Sequence, residues 1–136
     1  MRPLLSTLML CVVFALVSCQ SDTPMPPEYV YHIRGVVSSA FVNEKGEKII
    51  KLHHEAIPEF YDADGNSEPM RAMTMPFPVA DSISIDDLHK GDEIEVVYEM
   101  RWKSKPHEII SKIDRIPVGT VSFTAKSAPS KATPIP

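Results

Sequence analysis

Between residues 29 and 117, apolar and polar side chains alternate with a period of two, in short runs broken by polar turns. Alternation of this kind places one set of side chains on each face of a β-strand. Tyr29, Tyr31, Ile33 and Val37 alternate with His32 and Arg34, which predicts a first strand, and residues 43–47 form a polar turn after it. Lys48–His54 predicts a second strand and residues 72–79 a third. In the fourth, Ile94, Val96, Tyr98 and Met100 face one way while Glu93, Glu95 and Glu99 face the other. Residues 107–116 give a fifth, less regular strand, joined to the fourth by a hairpin through residues 102–106. Ahead of the fourth strand, Ser84 with Asp87 resembles a capping box. Leu88 offers an apolar contact there, and Gly91 can close the turn with positive φ, so one short helical turn is predicted. Five short strands and one helical turn predict an all-β domain, a small closed or nearly closed barrel of OB type. Closure would also remove the exposed edges of an open sheet.

The pattern changes at both ends. Arg2 and the apolar run over residues 4–17 have the character of a secretory signal, too short to span a bilayer comfortably. Residues 1–18 are therefore read as a signal peptide. Leu16-Val17-Ser18-Cys19 resembles the lipobox of bacterial lipoproteins, which implies that Cys19 becomes the first mature residue and carries the lipid. Residues 19–28, polar and Pro-rich after that Cys, read as an extended tether. Gln20 beside Cys19 resembles the outer-membrane sorting pattern, so the expected place is the periplasmic face of a bacterial membrane, the outer one. Residues 118–136 are rich in Ser, Thr, Ala, Lys and Pro and predict a disordered tail. A single monomeric domain over 29–117 remains.

Composition then narrows the chemistry. The chain has 2 cysteines; Cys11 leaves with the signal and Cys19 is taken by the lipid, so the mature domain holds neither thiol nor disulfide. Of the 14 basic residues Arg2 also leaves, so 13 face 18 acidic ones, a balance that offers no basic stripe for nucleic acid. A soft metal would have to be held by His and Met.

Two strands carry such residues. Ile50, Leu52 and His54 share one face of the second strand, while Ile49, Lys51 and His53 share the other. On the third, Met73, Met75, Phe77 and Val79 share a face, with the two thioethers one pleat apart. Taken singly, these features are ordinary: a lone His on an apolar face is most often a satisfied core residue, and same-face methionines commonly fill core gaps. Pro76 and Pro78 lack N–H donors and place this strand end at an edge or a barrel mouth, where a ligand could enter. Together, an imidazole and two neutral soft sulfurs suit Cu(I) or Ag(I) better than Zn²⁺, Ca²⁺ or Mg²⁺. A thiol-free set also suits an oxidising compartment.

Three stretches carry a family resemblance: Lys51-Leu52-His53-His54-Glu55-Ala56-Ile57, Met70-Arg71-Ala72-Met73-Thr74-Met75-Pro76-Phe77, and Lys90-Gly91-Asp92. Together they resemble the CusF family of periplasmic copper- and silver-binding proteins, over nearly all of residues 31–116. The resemblance implies a five-stranded OB-type barrel with His54, Met73 and Met75 as metal ligands. Where well-known members have a Trp that stacks on the metal, this chain has Met70, which stands as a ligand or near-ligand. Trp102, in the last hairpin, reads as structural. The segment between His54 and Met70 is longer than in those members. Its residues 62–68 alternate oxygens like a Ca²⁺ loop, but Ser67 stands where the loop needs Gly and Met73 where it needs Glu, so a polar turn is expected. His32, His89 and His107 read as surface residues.

The function expected is capture of Cu(I) or Ag(I) and delivery to a partner, either an efflux pump or a copper-insertion pathway for a respiratory oxidase. A structural or assembly lipoprotein that keeps the barrel but binds no metal is the alternative. An enzyme is not expected, because no nucleophile–base pair, open zinc triad or phosphate loop is present.

Overall fold

The alternating runs become strands in the computed structural model, which describes residues 25–124 and 133–134. In chain order these are β1 (Tyr29–Val42), β2 (Lys48–His54), β3 (Ile57–Tyr61), β4 (Ser67–Met70), β5 (Met73–Val79), β6 (Glu93–Met100), β7 (Glu108–Arg115) and β8 (Thr133–Pro134). The class is all-β, as the periodicity predicted. The signal segment, Cys19 and the tether up to residue 24 lie outside the described residues, as do residues 125–132 of the tail.

Strand β1 is long because it serves two neighbours. Its first half pairs with β6, from Tyr29 opposite Met100 to Val36 opposite Glu93. Its second half pairs with β2, from Gly35 opposite His54 to Val42 opposite Lys48. A register shift between Val37 and Ser39 marks a bulge, which bends a strand and increases its twist. That bend lets one strand turn from one side of the sheet to the other. The pairings β1–β2, β2–β5, β5–β7, β7–β6 and β6–β1 then run round a ring, all antiparallel except β5–β7. These ring strands are the five read from the sequence. Their inward faces carry Tyr31, Ile33, Ile50, Leu52, Phe77 and Ile94, each at most 1% exposed. Full burial of a side chain of this size contributes about 1.5–3 kcal/mol.

Three features depart from the sequence reading. The stretch between His54 and Met73 is a strand hairpin, β3–β4, and not only a polar turn. The turn itself is present: the Asp62 carboxylate accepts N–H bonds from Asp64 and Asn66, and Gly65 takes φ 82°. Secondly, no helical turn forms ahead of β6. Successive single turns close instead, with Ile83 N–H donating to Ala80, Leu88 N–H to Ile85 and Asp92 N–H to His89. Ser84 bonds Asp86 and not Asp87. The cause is the core: Ile83, Ile85 and Leu88 are all drawn to it, at spacings of two and three that a helical face does not provide. Gly91 keeps its expected role, with φ 97°. Thirdly, residues 119–123, read as part of a disordered tail, are bonded or packed to the barrel. The cause is a row of backbone N–H groups that meets two carboxylates, a pairing that apolar periodicity does not report.

Candidate metal centre at the His54 end of the barrel

The β2–β5 ladder builds the centre. In register, Ile50 faces Phe77, Leu52 faces Met75 and His54 faces Met73. Alternation along β2 turns Ile50, Leu52 and His54 inward, and His54 is 0% exposed. On its other side, His54 is paired with Gly35 of β1. Gly35 is required there by close approach: a Cβ would fall 2.6 Å from the His53 carbonyl oxygen and 2.7 Å from Leu52 Cγ. A glycine inside a strand pattern often marks such an approach.

His54 itself is half satisfied. Its Nδ1 lies 2.6 Å from the main-chain oxygen of Glu55. A carbonyl oxygen only accepts, so Nδ1 carries the proton and the neutral ring leaves its lone pair on Nε2. That Nε2 is buried and has no protein partner. A buried polar atom without a partner costs about 1–3 kcal/mol, and such atoms are rare in folded proteins. Burial lowers the His54 pKa from its ordinary 6.5, opposed by the bond to the Glu55 carbonyl. The ring is therefore neutral at pH 7, the state in which imidazole binds a metal. Phe77 meets it edge to face, with ring centroids 5.8 Å apart.

Two methionines lie on the neighbouring strand β5, and a third precedes it on β4. Met73, directly across from His54, is 48% exposed, whereas Met75 is half-buried and packs on the core. Met70 ends β4, opposite Ile57, and is also half-buried against the core. The structure thus brings His54, Met73 and Met75 onto one face of one ladder, with Met70 at the entry to the same strand. His53 points to the other side, where its Nδ1 lies 2.8 Å from Thr74 Oγ1. Trp102 is structural, with its indole N–H donating to the Tyr61 carbonyl at 3.2 Å. Among the described residues no three His, Cys, Asp or Glu side chains gather as a metal cluster. On the inward face of the ladder, His54 shares its end with the thioethers of Met73 and Met75.

Sequence reasoning missed Gly35, although its place inside an alternating run was a signal of close packing. It also missed Glu55, which is only 6% exposed and accepts an N–H bond from Ser122 at 2.7 Å. No local pattern announces that partnership, which joins residues 67 positions apart.

A family model described as copper binding periplasmic protein CusF matches residues 30–114. The solved structure of apo-CusF residues 6–88 from Escherichia coli overlaps 72% of this chain and 99% of its own, with 18% identity and a TM-score of 0.47. No curated protein sequence matches the chain.

Proposed function

Because the chain belongs to the CusF family of copper-binding periplasmic proteins, we propose that it captures Cu(I), and equally Ag(I), through His54 Nε2 with Met73 and Met75, and hands the ion to a partner. Met70 is the further donor, in place of an aromatic cap. The observation that carries this reading is the buried Nε2, whose tautomer leaves a lone pair with no protein partner, on the strand face that also bears two thioethers. Thioether and imidazole are soft and neutral, which favours a soft monovalent ion over hard divalent ones. Binding there gives the buried nitrogen the partner that no protein group supplies.

The exposure of Met73 supports transfer: a thioether reachable from outside can pass the ion on by ligand exchange, while His54 behind it holds the ion in the interim. The expected partner is a copper or silver efflux protein or an oxidase-assembly protein in the periplasm. Lipidation at Cys19 would tether a monomeric chain to the membrane and keep it close to such a partner. Titration of the chain with Cu(I) against a competing chelator tests the reading. One tight equivalent, lost in the His54→Ala, Met73→Ala, Met75→Ala triple variant, is expected. No binding, or binding unchanged in that variant, would sink it.

A further inference from the structure

Beyond β7 the chain turns through Gly119, at φ 87°, and runs back to the strand that carries His54. Glu93, the first residue of β6, organises this return. Its carboxylate accepts three consecutive backbone N–H bonds, from Gly119 at 2.7 Å, Thr120 at 2.8 Å and Val121 at 2.9 Å. The next N–H, of Ser122, donates to the Glu55 carboxylate at 2.7 Å. The next side chain, Phe123, sets its ring edge to face against His53, with centroids 4.3 Å apart. The strap formed by residues 119–123 thus touches both sequence neighbours of His54 and lies beyond the residues matched by the family model.

The two contacts bear on the ring between them. Glu55 supplies the main-chain oxygen that takes the Nδ1 proton of His54, and its own N–H is tied to the Arg34 carbonyl at 2.9 Å. With the carboxylate held by Ser122, Glu55 is fixed at both its main chain and its side chain. His53 is held between Thr74 and Phe123. We propose that Glu93, acting through the strap, is a positioning residue for the metal centre: the docked strap fixes Glu55 and His53 and so keeps the His54 ring in the orientation that presents Nε2 to the ion. The bonds from Gly119, Val121 and Thr120 also hold the Glu93 carboxyl below the usual carboxylate range, as expected of an ionised clasp. The inference rests on the Cu(I) reading above for its functional meaning, but not for its structural content.

The test compares the full chain, as the cell produces it, with Glu93→Gln, Phe123→Ala and Phe123→Tyr variants, using Glu95→Gln on the same strand as the control. Three quantities are read: amide exchange at residues 119–122, the ¹⁵N signature of the His54 ring without metal, and the Cu(I) dissociation constant. Releasing the strap by Glu93→Gln or Phe123→Ala should speed that exchange and shift the His54 ring away from a pure Nδ1–H tautomer. It should also weaken Cu(I) by about tenfold, the low end of what losing an outer partner of a metal ligand costs. Phe123→Tyr and Glu95→Gln should behave as wild type. Strap amides that exchange freely in the wild type, or a released strap that leaves the His54 signature and Cu(I) affinity unchanged, would overturn the proposal. A wild-type chain that takes up no Cu(I) would sink the metal reading instead, and the His54 signature in the variants would still decide whether the strap positions the ring.

Discussion

The two ends of the β2–β5 ladder are built from the same backbone and do opposite things. Toward one end Ile50 faces Phe77, both at most 1% exposed and part of the hydrophobic core. At the other, His54 faces Met73: one residue is fully buried with a nitrogen that has no protein partner, the other is about half exposed. The first end is spent on stability. The second forgoes some of it, leaving a polar atom without a partner and an apolar side chain in water. Proteins accept such local conflicts mainly where function requires them.

Breaking each end in turn should separate these roles. Phe77→Ala removes a buried ring and should cost about 3–5 kcal/mol in chemical denaturation. Gly35→Ala strikes at the His54 end: its Cβ meets backbone atoms of β2, so a loss of about 1–3 kcal/mol is expected from overpacking. It should weaken Cu(I) as well, because the displaced strand carries His54. Denaturation with and without one equivalent of Cu(I) measures both effects. His54→Leu should leave the metal-free chain within about 1 kcal/mol of wild type, since relief of the orphan nitrogen offsets loss of the Nδ1 bond. The same variant should abolish the stabilisation that bound Cu(I) gives. A large loss of metal-free stability would show that His54 is a structural core residue.

The smallest effect is on pH dependence. Burial lowers the folded pKa of His54 below its ordinary 6.5, so on acidification the unfolded chain takes up this proton first. The group's contribution to stability is therefore intact above about pH 6.5 and falls as pH drops through the folded value. Cu(I) affinity should hold from pH 7 to 6.5 and weaken only below the lowered value, as the proton begins to compete for Nε2. An affinity that stays flat down to the pH at which the chain unfolds, followed by chelator competition, would remove His54 from the ligand set.

Much of this was legible along the chain because a period of two makes each strand's faces explicit. Alternation of Ile50, Leu52 and His54 separated His54 from His53, and the Met73–Met75 pair emerged from the same rule. The β3–β4 hairpin was not legible, because Ile57, Phe60 and Tyr61 do not alternate cleanly and β3 carries an irregularity between Ile57 and Phe60. The turns ahead of β6 misled because Ser84 and Asp87 have capping-box spacing, while Ile83 and Ile85 are held by the core. Least legible was the strap. Its bonds run from backbone N–H groups to Glu93 and Glu55, and backbone donors leave no mark in residue types.

The central claim is that the ion binds at His54 Nε2 with thioethers beside it. Following the His54 ring nitrogens and the methionine methyls by NMR as one equivalent of Ag(I) is added tests this most directly. The account predicts a large shift at Nε2 with Nδ1 still protonated, together with shifts at the Met73 and Met75 methyls and at Met70. Binding that moves His53, or that leaves Nε2 and these methyls where they were, would contradict it.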